Sequence, residues 1–468
     1  MEEARVHRPV TPLIQAGDIV LTGGWLFDSV QDAAVPNTGI VVRSGIFLEV
    51  GADLSRRDLN ATQVVRLAND EYVLPGLIDL HAHYAVDLFG QGRVDEYTVN
   101  PVVFLANGVT STFPAGEYDP EGMLATRRRI EKGAQIGARI LSSGPFFGSA
   151  RYGWDNLVET PQRIREEVDT WAARGVRGLK AKGIAPAQLE ALIDQAHQHG
   201  LTVTGHLNSG FRNSVNPRDA IHLGIDRIEH FLGGDAIRGD RDAYDSLETL
   251  EVTRPEVDAI IDLYLRRNVY YDATVSAYGY WYDPKDPRIF APWAEERSFL
   301  TAHANTIVSA RLPRPGLEQF KGIYAVKFGE LKRFYDRGGA RLVTVGTDHP
   351  SWGEFLSGFG MHRELLAFVL AGIPPAAAIK MATINAAHAI RMSDQLGTIE
   401  PGKLADLVVV RGNPLVEIRN TRNTVRVMTS GRLYDPQALL DSVKGRFGPA
   451  SEAEDDWWKG KARFRGAG

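Results

Sequence analysis

The segment LPGLIDLHAHY, residues 74–84, combines the residue types and the spacing best suited to chemistry. Its apolar residues after the Pro-Gly turn predict a buried strand, and alternate side chains of a strand point to one face. Asp79, His81 and His83 therefore share a face. Two imidazoles on one face at the end of a buried strand can chelate one metal ion. The alternative is a strand that merely contains two half-buried histidines.

Four later segments have a residue pattern typical of β-strands. Each ends near a further candidate ligand, namely Lys180, His206, His230 and Asp348. A lone histidine on a strand is more often a core residue, and a lone lysine is more often solvated. Lys182, however, alternates onto the same face as Lys180, so one or both ammonium groups would enter an interior where an unpaired charge is costly. The whole set therefore indicates metal ligands, with lysine as a ligand precursor.

Strand texture alternates with amphipathic helical segments after His83, a pattern typical of parallel β/α units. The predicted strands are the opening strand that ends at the histidine pair and residues 109–116, 138–144, 177–183, 201–207, 226–231, 269–275 and 341–348. Eight such units predict an α/β fold, a (β/α)8 TIM-like barrel, whose functional residues lie at the C-terminal ends of the strands.

Both chain ends have the texture of short strands, and residues 18–74 predict a small antiparallel sheet. We expect the strands after residue 393 to complete it, giving a small β-sandwich domain built from both chain ends. The predicted divisions are 1–74 and 393–445 for the β-sandwich, 75–392 for the barrel and 446–468 for a tail. Trp457 and Trp458 in the tail favour packing on the barrel or on a neighbouring subunit, so a homo-oligomer is expected.

Composition narrows the class of protein. The chain has 468 residues, 44% of them hydrophobic, with a net charge of -5, so it has no basic stripe for nucleic acid or for a membrane surface. A small-molecule substrate is expected. The first residues lack the apolar run of a secretory signal, which predicts a soluble, cytoplasmic protein. The absence of cysteine excludes disulfides, thiolate metal sites and a cysteine nucleophile.

An ordered set of motifs resembles the amidohydrolase superfamily, and more narrowly its imidazolonepropionase-like and prolidase-like branch. The matching segments are LPGLIDLHAHY, ANGVTSTF, GVRGLK, VTGHL, GIDRIEHF, VGTDHP, LAGIPPAAAIKMATINAA and GTIEPGKLADLVVV. They span roughly residues 18–435 in the family order. Each motif alone is weak, and the order of the whole set carries the resemblance.

The resemblance implies two divalent metal ions, zinc or else manganese, because imidazole and oxygen ligands suit both. The implied ligands are His81, His83, Lys180, His206, His230 and Asp348. In the family, the two strand-one histidines and the strand-eight aspartate hold the more buried ion, and the other two histidines hold the second. Lys180 falls where binuclear members carry a lysine carboxylated by CO2, whose carbamate bridges both ions. Lys182 is the competitor for that role.

The resemblance also implies hydrolysis of a C–N amide bond, in a dipeptide, an N-acyl amino acid or a cyclic amide, by a metal-activated hydroxide. Asp348 would serve as general acid and base. Ala85 stands where dihydroorotase and hydantoinase relatives have an arginine, and Ser209 where deaminases have a glutamate. The open alternatives are a mononuclear aminohydrolase (deaminase) or lactonase on the same scaffold, and a non-enzymatic structural relative.

Two loops are predicted to set substrate specificity. The long loop at 276–322 begins with aromatic residues that could wall an apolar substrate or equally make packing or subunit contacts. In the loop after the third strand, Arg151 and Tyr152 could meet a substrate carboxylate. The candidate substrate-binding residues are Tyr84, Arg151, Tyr152, Asn208, Trp281 and Trp352.

Overall fold

The computed structural model describes residues 14–55, 57–61, 63–86, 93–279, 296–310, 317–349 and 357–455. Trp281, Trp352, Trp457 and Trp458 lie outside these ranges, as do residues 280–295 of the predicted aromatic loop. None of the helices within the ranges combines the length and the apolar character that a membrane crossing requires.

Strands and helices alternate along most of the chain. The described strands are β1 (Ile19–Leu26), β2 (Val35–Arg43), β3 (Ile46–Val50), β4 (Gln63–Pro75), β5 (Leu77–Ala82), β6 (Ala85–Val86), β7 (Val94–Asp95), β8 (Val109–Pro114), β9 (Arg139–Ile140), β10 (Phe146–Phe147), β11 (Gly178–Lys182), β12 (Thr202–His206), β13 (Arg227–Glu229), β14 (Tyr270–Asp272), β15 (Val343–Thr344), β16 (Leu407–Arg411), β17 (Thr424–Thr429) and β18 (Arg432–Tyr434). The described α-helices are α1 (Asn100–Ala106), α2 (Pro120–Glu131), α3 (Pro161–Ala173), α4 (Pro186–Gln198), α5 (Pro217–Leu223), α6 (Ala243–Leu247), α7 (Pro255–Arg267), α8 (Ala302–Ser309), α9 (Leu317–Asp336), α10 (Phe359–Leu370), α11 (Pro375–Met381), α12 (Ile384–Ala389) and α13 (Pro436–Val443).

Both chain ends contribute to one seven-stranded sheet with the order β18-β17-β16-β4-β1-β2-β3. β1 pairs antiparallel with β2 but parallel with β4, so the sheet is mixed and the expectation of a purely antiparallel sheet was wrong. The reason is that β4 returns to the free side of β1, across from the β2–β3 hairpin. β16 lies antiparallel against β4, with Val409 opposite Val73, and both side chains enter a shared apolar core.

The remaining long-range pairings are parallel. β5, β8 and β9 form one sheet, and β10 to β15 form a second. Backbone hydrogen bonds connect the two sheets at both edges, since Leu80 N donates to Val345 O at 3.1 Å and Arg177 N donates to Ser142 O at 2.8 Å. Helices connect successive strands, as the alternation predicts. The result is a TIM-barrel-like α/β fold in which the C-terminal strand ends gather at one end.

Several strands end earlier than predicted. The segments expected at 226–231 and 341–348 contain only β13 (Arg227–Glu229) and β15 (Val343–Thr344). His230 and Asp348, which follow them, have φ angles of 65° and 53°. A residue in the left-handed region cannot continue an extended ladder, so β13 stops directly before His230, whereas β15 ends four residues before Asp348.

Helix α3 shows how the local sequence builds the outer layer. Thr160 caps its N-terminus by accepting a hydrogen bond from Arg163 N at 3.2 Å, and Pro161 occupies the first turn. Ile164, Val168 and Trp171 follow at helical spacing and are buried. The positive φ of Gly175 ends the segment and turns the chain into β11.

Candidate metal centre

The candidate ligands stand where parallel strands end. His81 lies within β5, Lys180 lies within β11, His206 is the last residue of β12, His230 directly follows β13, and Asp348 follows β15 by four residues. The strand order places these ends next to one another, so the structure gathers all six predicted side chains, including His83, in one cluster. Their role as metal ligands stays a prediction.

The first group in the cluster consists of His81, His83 and Asp348. The Nε2 atoms of His81 and His83 lie 3.3 and 2.9 Å from the same oxygen, Asp348 Oδ1. Both histidines are buried. Gly346 makes the arrangement possible, because a Cβ there would collide with His81 and with the carboxylate of Asp272.

Asp79, predicted to share the face of the histidine pair, connects β5 by hydrogen bonds to the segment that follows β15. Its Oδ1 accepts hydrogen bonds from His81 N and Thr347 N, both at 3.1 Å, and its Oδ2 accepts one from Thr347 Oγ1 at 2.7 Å. Burial raises the pKa of Asp79 to about 6. The carboxylate thus positions the backbone on both sides of the first ligand group.

A second group lies beside the first, around His230. The ring centroid of His230 is 4.8 Å from that of His81 and 4.4 Å from that of His206. Thr274 Oγ1 donates to Ala273 O at 2.8 Å, so it accepts from His230 Nδ1, 2.6 Å away. The proton of His230 therefore sits on Nδ1, which leaves the lone pair of Nε2 available for a ligand.

Glu229 belongs to this group, although the sequence analysis did not identify it. Its Oε1 lies 3.4 Å from His81 Nδ1 and accepts a hydrogen bond from Thr204 Oγ1 at 2.8 Å. Its Oε2 pairs with the ammonium of Lys180. In an extended strand Glu229 and His230 would point to opposite faces, but the left-handed φ of His230 brings both to the cluster. The one sequence signal was adjacency to a predicted ligand.

The protonation states suit metal binding. Burial lowers the pKa values of His81, His206 and His230 well below the usual range, so the three imidazoles are neutral at physiological pH. Burial would raise the pKa of Asp348, but interactions with His81 and His83 hold it well below its usual value. The centre therefore combines neutral imidazoles with an ionised carboxylate.

The residues present fit a divalent cation. His83 Nδ1 and His230 Nε2 are buried and make no hydrogen bond within the described ranges. The ligand atoms of His81, His83 and Asp348 lie within 4.8 Å of one another, and so do those of His81, Glu229 and His230. Imidazole and carboxylate ligands in this number suit zinc or manganese, so the structure offers two adjoining groups that could hold ions.

Aromatic side chains form a wall beside His206 and His230. Tyr278, in the described first part of the predicted loop at 276–322, has its ring centroid 6.4 Å from that of His230. Tyr244 lies 6.4 Å from His206 and 6.2 Å from Tyr278. Phe320 of α9 stacks on Tyr278 at 5.7 Å. Tyr244 was not predicted, because it lies neither at a strand end nor in a recognisable motif, and Phe320 lies near the end of the predicted loop at 276–322, beyond its opening aromatic stretch.

The predicted substrate-binding residues are placed differently. Tyr84 is buried in the core, with its hydroxyl 3.0 Å from Thr112 Oγ1. Arg151 pairs with Glu167 of α3 at 2.7 Å, beside the exposed Tyr152, where both line a surface cavity of about 320 Å³. Asn208 Nδ2 donates to Asp242 at 2.9 Å. These partners of Tyr84, Arg151 and Asn208 are not the candidate metal ligands, and Trp281 and Trp352 lie outside the described residues.

Comparison with known proteins identifies the class. The sequence profile described as the Amidohydrolase family matches residues 72–434 of this chain. The chain therefore belongs to the amidohydrolase family, as its motifs indicate. Adenine deaminase 1 of Latilactobacillus sakei subsp. sakei (strain 23K) is 22% identical over 458 residues, which cover 94% of this chain and 62% of that protein. The chain thus spans about three fifths of the length of that relative.

Solved structures show the same fold. A Xaa-Pro dipeptidase with bound methionine in its active site has a TM-score of 0.66 and 21% identity, covering 89% of this chain and 100% of that chain. A putative prolidase from Bifidobacterium longum has a TM-score of 0.65 and 23% identity, covering 92% of this chain and 100% of that chain.

Proposed function

We propose that this protein is a metal-dependent hydrolase that cleaves a C–N amide bond in a dipeptide, an N-acyl amino acid or a cyclic amide. The observation that carries the proposal is the convergence of His81 Nε2 and His83 Nε2 on one oxygen of Asp348, at 3.3 and 2.9 Å. Neutral imidazoles around an ionised carboxylate suit a divalent cation and keep a proton acceptor beside it. Membership of the amidohydrolase family supports this class of chemistry.

The proposal includes two divalent cations, zinc in preference to manganese. The proposed ligands are His81, His83 and Asp348 for one ion, His206 and His230 for the other, and a carbamate formed from CO2 on Lys180 between them. When bound, such ions polarise a carbonyl and lower the pKa of water. Burial lowers the pKa of Lys180 well below its usual range, which favours the neutral amine that reacts with CO2. Carbamylation would break the pairing of Lys180 with Glu229.

Side chains of the protein itself would transfer the proton, position the backbone and limit the access of water. Asp348, held ionised by the two histidines, accepts a proton from the attacking water and returns one to the departing nitrogen. Asp79 and Thr347 hold the backbone beside Asp348 in place. The aromatic wall of Tyr244, Tyr278 and Phe320 packs beside the second group and limits the access of water to it.

The architecture completes the proposal. We infer a closed eight-stranded barrel over residues 75–392, because hydrogen bonds join the two parallel sheets at both edges. The strands of 1–74 and 393–445 would form the β-sandwich domain, and 446–468 the tail. The homo-oligomeric state and the cytoplasmic location stay predictions.

The test combines metal content with one substitution. Elemental analysis of protein purified without chelators should find about two zinc or manganese ions per chain, and intact mass should show added CO2. Asp348→Asn should reduce turnover of dipeptides and N-acyl amino acids by about 10²- to 10⁴-fold with the fold intact, because it removes the proton acceptor. Asp394→Asn, at an exposed position, is the matched control. Near-normal turnover by Asp348→Asn would exclude the mechanism.

Deamination is the second candidate, because the relative from Latilactobacillus sakei is an adenine deaminase. Ser209, at the position where deaminases have a glutamate, donates its hydroxyl to Arg241 O at 2.5 Å and offers no carboxylate. Release of ammonia from adenine or another heterocyclic amine, without cleavage of dipeptides or N-acyl amino acids, would favour deamination over amide hydrolysis.

A further inference from the structure

Lys182 is a cation at the edge of the candidate metal centre. It ends β11, two residues after Lys180, and pairs in register with His206 of β12. Neighbouring strands are about 4.8 Å apart, so the side chain starts directly beside a candidate ligand. Lys182 is half-buried, and in the part of the chain that the structure describes its ammonium makes no hydrogen bond or ion pair. An ammonium withdrawn from water without a partner is costly, which points to a missing partner.

Arg93 is a second cation that reaches the same space. It directly precedes β7, and its Nη1 donates to the Tyr118 hydroxyl at 3.3 Å. The ring of Tyr118 lies 5.2 Å from Phe146, which pairs in register with Lys180. Burial, followed by the charge of Arg93, lowers the pKa of Lys182 to about 8, which agrees with the placement of both side chains beside Lys180 through Phe146 and Tyr118.

Resting on the proposed amide hydrolysis, we propose that Lys182 and Arg93 form an anion-binding subsite that selects substrates with a carboxylate next to the scissile bond. A carboxylate bound beside these two cations would gain an attractive charge interaction with each of them. The nearby carboxylate of Asp348 is already engaged by His81 and His83, which leaves Lys182 for the substrate. The subsite therefore favours N-acyl amino acids and dipeptides with a free carboxylate over cyclic amides and other neutral substrates.

The test compares alanyl-phenylalanine with alanyl-phenylalaninamide, which share the scissile bond and differ only in the carboxylate. The wild-type enzyme should favour the free acid in kcat/KM. Lys182→Met should lose about 10- to 100-fold in kcat/KM on the acid, mainly through KM, and change less than about threefold on the amide, because it removes one charge-assisted hydrogen bond. Lys182→Arg should retain most activity, and exposed Lys132→Met should match the wild type.

The remaining outcomes separate this subsite from the proposed function. An equal loss on acid and amide, or loss of metal in Lys182→Met, would overturn the subsite and give Lys182 a structural or ligand role. If neither compound is cleaved, hydrolysis of this dipeptide fails, and calorimetric titration with phenylalanine and phenylalaninamide decides the subsite separately. Tighter binding of phenylalanine to the wild type, weakened by Lys182→Met, supports the subsite, and equal or absent binding overturns it.

Discussion

Lys327 is a fully buried lysine next to the backbone of His230. Substituting it tests whether its ammonium stabilises the backbone conformation of His230. Its Nζ donates to the carbonyl oxygen of His230 and, at 2.8 Å, to the Tyr271 hydroxyl, and it lies 3.4 Å from Glu330 Oε2. His230 has a φ of 65°, a conformation that costs a residue other than glycine about 1–3 kcal/mol. We therefore expect the ammonium of Lys327 to stabilise the backbone that directs the His230 ring into the centre.

The expected size of the effect follows from the contacts of Lys327. Lys327→Met leaves the buried carboxylate of Glu330 with the Tyr271 hydroxyl at 3.4 Å as its remaining contact among the described residues. Breaking a buried ion pair from one side costs about 3–5 kcal/mol. The double variant Lys327→Met/Glu330→Gln removes the uncompensated charge, so its loss should fall to about 1.5–3 kcal/mol, the contribution of a hydrogen bond from a charged group to the His230 carbonyl.

The assay is denaturant unfolding of the metal-free protein, followed by both circular dichroism and tryptophan fluorescence. Zinc affinity, measured by competition with a chelator, is the second readout, and a role confined to overall stability would not change it in the folded variant. Lys132→Met is the control for loss of a lysine charge. A loss below about 1 kcal/mol in Lys327→Met, with wild-type zinc affinity, would show that Lys327 does not hold the backbone of His230.

Two further variants test other parts of the site. Thr274→Val should weaken zinc binding by about 10- to 100-fold in competition titrations, because His230 Nδ1 loses its acceptor, whereas Thr344→Val, which removes a buried hydroxyl without a partner among the described residues, should not. Burial raises the pKa of Glu364 from 4.5 to about 8. Between these pH values the folded state therefore binds more protons than the unfolded state. The contribution of Glu364 to the free energy of unfolding falls as the pH rises through this range. Glu364→Gln should therefore unfold with less pH dependence between about pH 4.5 and 8, and an unchanged slope in denaturation series would count against that protonation state.

Most of the fold could be predicted because periodicity reflects burial. The apolar runs that become β5, β8 and β11 to β13 are short and bounded by turns, and amphipathic helices such as α4, after β11, lie between them. The length of β13 could not be predicted, because its pairing ends where His230 adopts a positive φ. The parallel pairing of β1 with β4 was missed because strand texture carries no information on direction.

The partners of individual side chains could not be predicted where they come from other segments. Arg151 is predicted to meet a substrate carboxylate, which stays a prediction, and the structure adds that Glu167, on the following helix, pairs with it. Tyr84 directly follows the metal motif, yet its ring enters the core against Phe104. Each outcome depends on which neighbour the fold supplies, and the spacing of residues in one segment does not contain that information.

The types of the candidate ligands and their order along the chain can be read from the sequence alone. Two histidines end one strand, later strands each end near one further polar residue, and the chain has no cysteine. Strand periodicity was sufficient to predict that these side chains share one end of the fold. Only the tertiary structure shows that Glu229 joins them and pairs with Lys180, and that Arg93, next to β7, contacts Tyr118. The physical reason is that charge pairing and left-handed backbone geometry arise between strands and loops, and are set only when the whole fold closes around them.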